Sequence, residues 1–155
     1  MKRPQVLDYI AAKLEPEYGA SEAKAIAKRY LNDHDRFGPN STEGMIEELI
    51  EFTSRQMSIV DEDIQKMLGG TPVQYVVGKE FFSGNWYRVN PSVLIPRPET
   101  EELIEIILKD AASEPSTIID LGTGSGCIAI SLKKAFKQAQ VFATDVSEEA
   151  LKTAD

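Results

Sequence analysis

The sequence predicts an α + α/β fold: a small N-terminal helical bundle, a β-hairpin linker, and the start of an incomplete Rossmann-like parallel sheet. Three observations predict it. Up to about Gly70 the apolar residues recur only at helical spacing. An aromatic-rich hairpin signal follows. From Thr117 the order becomes strand, glycine loop, helix, strand, helix, which is how a parallel α/β sheet begins.

Taken in order, Val6, Ile10 and Leu14 recur every four residues, and Pro16 with Gly19 is expected to end this first helix. A second opens after Ser21, a good N-cap, and carries Ala23, Ile26, Ala27 and Tyr30 on one side to about Asn32. Residues 33–40 read as a loop with Gly38-Pro39. Ser41 or Thr42 then caps a third helix with Met45, Ile46, Leu49, Ile50 and Thr53 inward. Asp61 opens a fourth with Ile64, Met67 and Leu68 before Gly69-Gly70 stop it.

Residues 72–77 fit a helical turn or a strand start. Glu80-Phe81-Phe82 and Trp86-Tyr87-Arg88-Val89 flank Ser83-Gly84-Asn85 as a hairpin. Pro91, Pro96 and Pro98 keep the next stretch extended, and a helix over 99–110 is expected to turn Leu103, Ile106 and Ile107 inward. Thr117-Ile118-Ile119-Asp120-Leu121 reads as a buried strand and residues 127–137 as a helix. Residues 140–145 read as a second strand, and Ser147 caps a last helix. The expected domains are 1–70, 71–96 and 97–155. Two strands do not complete such a sheet, and the chain ends at Lys152-Thr153-Ala154-Asp155 inside a predicted helix. The expectation is therefore the first part of a longer protein.

Composition excludes several classes. The chain has 155 residues, 42% hydrophobic and 27% charged, which is the balance of a globular protein rather than a disordered one. Its formal charge of −8, from 17 basic and 25 acidic residues, argues against nucleic acid as the main partner. One cysteine, Cys127, and one histidine, His34, supply neither a disulfide nor a zinc set, so no metal site is expected, and a reducing, cytoplasmic location fits. The residues after Lys2-Arg3-Pro4 form no signal-peptide core, and no stretch approaches the roughly 18 apolar residues of a membrane span.

The glycine loop carries the most chemistry. It follows a strand end, where open α/β sheets bind ligands. In the dinucleotide pattern Gly-x-Gly-x-x-Gly the third glycine comes one residue later than in Gly122-Thr123-Gly124-Ser125-Gly126. Asp120 beside the loop would repel a pyrophosphate. It suits S-adenosylmethionine, which has no phosphate and carries an ammonium and a sulfonium. Asp145 ends the second strand where an acid accepts both ribose hydroxyls of an adenosine, as it also does in NAD enzymes. No Gly-Lys-Ser/Thr follows, so this is not a P-loop.

Three blocks resemble one family. They are Thr71-Pro72-Val73-Gln74-Tyr75-Val76-Val77-Gly78 with Glu80-Phe81-Phe82, Val93-Leu94-Ile95-Pro96-Arg97-Pro98-Glu99-Thr100-Glu101, and Ile119-Asp120-Leu121-Gly122-Thr123-Gly124-Ser125-Gly126-Cys127-Ile128-Ala129. Together they resemble the release factor glutamine methyltransferases of the HemK/PrmC type, from about residue 71 onward. The resemblance implies a class I methyltransferase domain over 97–155 and a helical domain over 1–70 that recognises a class 1 peptide chain release factor. The implied reaction moves a methyl group from S-adenosylmethionine to the glutamine amide of a Gly-Gly-Gln motif. The family's Asn-Pro-Pro-Tyr motif, which holds that amide, is absent; Asn90-Pro91-Ser92-Val93 reads as a turn. No catalytic residue is therefore assigned, and the chain alone is expected to be inactive. Two alternatives stand beside this: a complete, non-catalytic binding module, and a fragment of a nucleic-acid adenine amino-methyltransferase.

Asp120, Gly122, Thr123, Gly124, Ser125, Gly126 and Asp145 are the expected cofactor residues, with Thr123, Ser125 and Cys127 offering mainly backbone N–H groups. Arg97 and Glu99 resemble a block lying against the methionine end of the cofactor, or else form an ion pair with a helix-start carboxylate. Cys127 reads as a buried helix residue and His34 as a solvated helix end. Trp86, Tyr87, Phe81 and Phe82 read as hairpin core. Glu43, Glu47, Glu48, Glu51, Asp61, Glu62 and Asp63 read as a wet acidic face, or one that attracts a basic release factor. Two strands with one partner each or none would leave an apolar edge exposed, so self-association is expected of the chain by itself.

Overall fold

A computed structural model describes residues 1–37, 50–111 and 113–155. The chain divides into two units, Met1–Val77 and Gly78–Asp155, each with a hydrophobic core of its own. The segment expected as a connector is shared out, residues 72–77 with the first unit and the hairpin with the second.

In the first unit, α1 (Arg3–Tyr18) buries Val6, Ile10 and Leu14 as the spacing predicts. Pro16 lies inside its last turn instead of ending it; a proline there removes one ladder hydrogen bond near the frayed end, where the loss is small. Gly19 ends the helix with φ +77°, its N–H donating to the Glu15 carbonyl at 2.8 Å. The same glycine opens α2 (Ala20–Asp33), so Ser21 is not the cap. Ala23, Ala27, Tyr30 and Leu31 of α2 are buried.

The next described helix is α3 (Ser54–Leu68), which starts earlier than the Asp61 opening expected from the pattern. Thr53 caps it: Thr53 Oγ1 accepts the Gln56 N–H at 3.3 Å and the Gln56 side chain accepts the Thr53 N–H at 2.9 Å. Thr53 therefore belongs to a cap, not to the inner face of a preceding helix. The remainder of that expected helix, with Ser41, Thr42, Met45, Ile46 and Leu49, lies outside the described residues. Ile50 is buried, and its carbonyl accepts the Arg3 N–H at 3.0 Å, while Phe52 N–H donates to the Met1 carbonyl at 2.8 Å. The short α4 (Val73–Val77) resolves residues 72–77 as helical.

A buried polar cluster overturns two surface expectations. Asp63 is buried, and Tyr30 Oη donates to its Oδ2 at 2.8 Å while Lys66 Nζ donates to its Oδ1 at 2.7 Å. His34 is not a solvated end: its ring stacks on Phe37 at 4.4 Å and its Nε2 lies 3.6 Å from Asp63 Oδ2. Helical periodicity cannot foresee this, because the contact joins the end of α2 to the middle of α3. Burial pushes the Tyr30 phenol far above its ordinary value. His34 Nδ1 accepts the Arg36 N–H at 3.1 Å, which leaves its proton on Nε2 facing Asp63.

Burial also holds the His34 pKa below the ordinary histidine value; Asp63 and Asp35 oppose the shift and Arg36 adds to it. The unfolded chain therefore takes up this proton first, and stability contributed by neutral His34 is lost as pH falls from about 6.5 through the folded value. Urea midpoints at about pH 7 and pH 5 are expected to drop for the native chain and to change much less in His34→Phe. A native midpoint that does not move, or an equal drop in the variant, contradicts the assignment.

In the second unit, β1 (Lys79–Phe82) and β2 (Asn85–Arg88) pair antiparallel with Lys79 opposite Arg88 and Phe81 opposite Trp86. Ser83 at φ 45° and Gly84 at φ 76° form the primed turn that a two-residue hairpin favours. The aromatic residues split by strand alternation: Phe82 and Tyr87 enter the core with Ile104, Cys127 and Leu132, whereas Phe81 and Trp86 face out.

Pro98 sits in the first turn of α5 (Pro98–Asp110), which buries Ile104 and packs Ile107 on the core. Leu103 and Ile106, expected inward, are exposed. The run Leu103-Ile104-Glu105-Ile106-Ile107 offers two neighbouring apolar stripes, and only packing chooses between them.

Strand β3 (Thr117–Leu121), helix α6 (Cys127–Ala135) and strand β4 (Gln140–Thr144) form a βαβ unit with parallel pairing from Thr117 opposite Gln140 to Leu121 opposite Thr144. Ser147 caps α7 (Glu148–Ala154), its Oγ accepting the Ala150 N–H at 3.1 Å. Ile118 packs in the core, but Ile119 (62%), Leu121 (78%) and Phe142 (46%) are exposed on the other sheet face, so β3 is not the fully buried strand expected. The hairpin region is tied to all three helices: Ser83 N–H to Glu101 Oε1 at 2.7 Å, Tyr87 Oη with Ser131 Oγ at 2.8 Å, and Asn90 Nδ2 to Thr153 Oγ1 at 2.9 Å. Among the described residues no helix is long and apolar enough to cross a membrane.

Candidate functional site

The loop between β3 and α6 is built on alternation. Gly122 (φ +77°), Gly124 (φ +56°) and Gly126 (φ +77°) all take left-handed backbone that side chains resist, while Thr123 and Ser125 between them are buried. This explains glycine at every second position. The loop is clamped to the neighbouring strand, since the Thr144 carbonyl accepts both the Gly122 N–H at 2.8 Å and the Thr123 N–H at 2.9 Å. The Thr123 N–H, expected to be offered outward, is thus used within the fold. Gly126 N–H donates to the Thr123 carbonyl at 2.9 Å and starts α6.

Both strand-end carboxylates reach the loop. Thr123 Oγ1 donates to Asp120 Oδ2 at 2.7 Å, and Gly124 N–H donates to Asp145 Oδ2 at 2.9 Å while Ser147 N–H donates to Asp145 Oδ1 at 2.9 Å. The Ser147 and Gly124 N–H groups hold the Asp145 carboxyl below the ordinary carboxylate range. It is therefore charged at neutral pH, with lone pairs left to accept further donors. Beside Gly122 and Gly124 no atom lies within 4 Å of where a side chain would begin, so the loop faces open space.

The structure thus brings together Asp120, Gly122, Thr123, Gly124, Ser125, Gly126 and Asp145. Arg97 and Glu99 belong to a different element, α5. Arg97 is the N-cap of α5 and Glu99 lies in its first turn, both exposed. Among the described residues no ion pair joins them to each other and no hydrogen bond joins them to the loop. Cys127 is buried and burial raises its thiol pKa, which keeps it protonated and unsuited to nucleophilic attack. Sequence reasoning missed Thr144. Its contribution is a backbone carbonyl, for which side-chain patterns give no signal. Among the described residues no group of three His, Cys, Asp or Glu is placed to hold a metal ion. A cleft of about 500 Å³ runs along β3 from Thr117 to Asp120, lined by Ile107, Ile128, Leu132 and Phe136.

A glycine loop between parallel strands, with a carboxylate near each strand end, is a place where open α/β sheets bind ligands, and the methyltransferase small domain family matches residues 99–155. Release factor glutamine methyltransferases from two species are similar along most of the chain. The Enterococcus faecalis protein is 38% identical over 150 residues, 97% of this chain and 52% of that protein. The Bacteroides thetaiotaomicron protein is 37% identical over 147 residues, 95% and 52% respectively. That of Koribacter versatilis is 47% identical over 105 residues, 67% of this chain and 38% of that protein. The chain thus resembles the release factor glutamine methyltransferases along nearly all of its own length, and it spans about half the length of the curated relatives it matches in this way.

Proposed function

We propose that this chain is the N-terminal part of an enzyme that transfers a methyl group from S-adenosylmethionine to the side-chain amide of the glutamine in the Gly-Gly-Gln motif of a class 1 release factor. The observation that carries this reading is the identity along 97% of the chain to a protein named release factor glutamine methyltransferase. Residues 1–70 would recognise the release factor, 71–96 would link, and 97–155 would open a Rossmann-like class I domain. A cytoplasmic location suits a partner of the translation machinery.

The loop fits the cofactor by its chemistry. S-adenosylmethionine supplies an electrophilic methyl on a sulfonium. Asp145 would accept the ribose hydroxyls, and Asp120 would place negative charge near the cationic methionine portion. Gly122 and Gly124 would let the ligand lie against bare backbone, as the open space beside them supports. Arg97 and Glu99 would close on the methionine end from the start of α5. An amide nitrogen is a poor nucleophile because its lone pair is delocalised, so the reaction needs a group that orients it. The Asn-Pro-Pro-Tyr that does so in the family is not among these 155 residues. We therefore expect the chain alone to bind the cofactor weakly and not to turn over. The exposed Ile119, Leu121 and Phe142 support self-association of the chain by itself.

Mass spectrometry of a Gly-Gly-Gln release factor incubated with S-adenosylmethionine and the full-length protein tests the reading. A one-methyl gain on that glutamine is expected. An unmodified glutamine overturns it.

A further inference from the structure

The outward face of the hairpin has a composition that a merely solvated face does not need. Phe81 (50%) and Trp86 (49%) are half exposed, side by side across the strands, with ring centroids 5.3 Å apart. The next cross-strand pair on that face is Lys79 opposite Arg88, and Lys79 Nζ lies 4.9 Å over the Trp86 ring. A cleft of about 160 Å³ adjoins it, lined by Trp86, Arg88 and Lys134 among others, with Asp155 its acidic member. Lys134 Nζ donates to Asn85 Oδ1 of the same hairpin. Two cations and two aromatic rings thus gather on the outward face, with Lys134 of α6 in the adjoining cleft, in a chain whose formal charge is −8.

We propose that this face is a docking surface for an extended, acidic segment of a protein partner. Charge complementarity selects the sign: Lys79 and Arg88, with Lys134 at the edge of the cleft, meet carboxylates, and Phe81 with Trp86 meets apolar side chains. Geometry selects the conformation. The cationic row and the aromatic row are two residues apart along the strands, roughly 6.8 Å, which equals the spacing of same-side residues in an extended peptide. A single-stranded nucleic acid fits less well. Its bases need open ring faces, and Trp86 is already covered by the Lys79 ammonium and packed at 68° against Phe81. The inference needs neither cofactor nor methyl transfer, so it stands apart from the proposed activity.

Trp86 is the single tryptophan of the chain, so its emission reports this face directly. The probe is a synthetic peptide repeating Glu-Thr-Leu-Thr, titrated beside a Gln-Thr-Leu-Thr analogue and an oligouridylate. A saturable change is expected with the acidic peptide alone. It should weaken as salt rises past about 0.1 M, where the Debye length is about 10 Å. Arg88→Glu, an exposed charge reversal away from the core, is expected to weaken binding roughly five- to tenfold with its urea midpoint unchanged. Lys134→Glu, which also removes the hydrogen bond to Asn85, is a second variant expected to weaken binding. No response to the acidic peptide, an equal response to the glutamine analogue, a response only to the oligouridylate, or undiminished binding by both variants overturns the proposal.

Discussion

Replacing Gly126 with valine is expected to destabilise the second unit by about 3–5 kcal/mol, the sum of a backbone and a packing effect. Gly126 has φ +77° and ψ 4°, a left-handed conformation that costs an L-residue about 1–2 kcal/mol and a β-branched one more. A Cβ there would lie 3.1 Å from Ala154 Cβ and 3.1 Å from Ile130 Cδ1. Ile130 Cδ1 is the end of a side chain that can turn aside, but Ala154 Cβ is fixed to its backbone, whose Cα lies 3.6 Å away, and overpacking of this kind adds roughly 1–3 kcal/mol. Because net stability is only about 5–15 kcal/mol for a domain, the loss is a large fraction of the total.

Gly122→Ala supplies the comparison. Its φ is also +77°, but nothing lies within 4 Å, so only the backbone strain applies. Urea unfolding followed by Trp86 emission measures both, since that residue lies in the second unit. A Gly126→Val midpoint equal to that of Gly122→Ala contradicts the packing argument, and one equal to the native chain contradicts both parts.

Arg3→Met is expected to cost the first unit about 3–5 kcal/mol, because the guanidinium is buried and serves the carboxyl end of α2. Arg3 Nη2 donates to the Leu31 carbonyl at 3.0 Å and to Asn32 Oδ1 at 2.8 Å, and Nη1 donates to the Phe37 carbonyl. Those carbonyls lie at and just past the end of a helix, where its own N–H groups have run out and the dipole favours a cation. Methionine keeps the aliphatic volume and removes every donor. Hydrogen bonds to a charged group contribute about 1.5–3 kcal/mol each, and abandoned buried acceptors about 1–3, with incomplete additivity. Arg3→Lys retains the charge without the fork that reaches three acceptors, so an intermediate loss is expected. Thermal melts read by helical circular dichroism decide it; a loss under about 1 kcal/mol in Arg3→Met shows that the carbonyls find other donors.

Much of the fold was legible in the sequence because its causes are local. Val6, Ile10 and Leu14 share a helical face wherever the helix packs, Ser83-Gly84 suits one turn, and Ser147 caps by reaching its own helix start. The candidate site was legible for the same reason: Gly122, Gly124 and Gly126 alternate because the backbone must turn left-handed three times, and Asp120, next to last in β3, and Asp145, just past β4, lie at their strand ends by position alone. The domain limits rested on the change of pattern along the chain and the roles of Arg97 and Glu99 on resemblance, and both stand as proposals.

Where the sequence misled, the deciding contact joins residues far apart in the chain. Asp63 and His34 look like surface residues until α2 and α3 bring them together around Tyr30, and Arg3 looks like an N-terminal charge until the end of α2 arrives beside it. The apolar run in α5 offers two stripes, and packing took Ile104 over Leu103 and Ile106. The sequence by itself determined which residues could form amphipathic helices, a hairpin and a glycine loop, because propensity and spacing act within a few residues. Only the tertiary structure decided which polar groups were buried, which aromatic pair faced out and which carbonyl clamped the loop, because those depend on partners that no local pattern encodes.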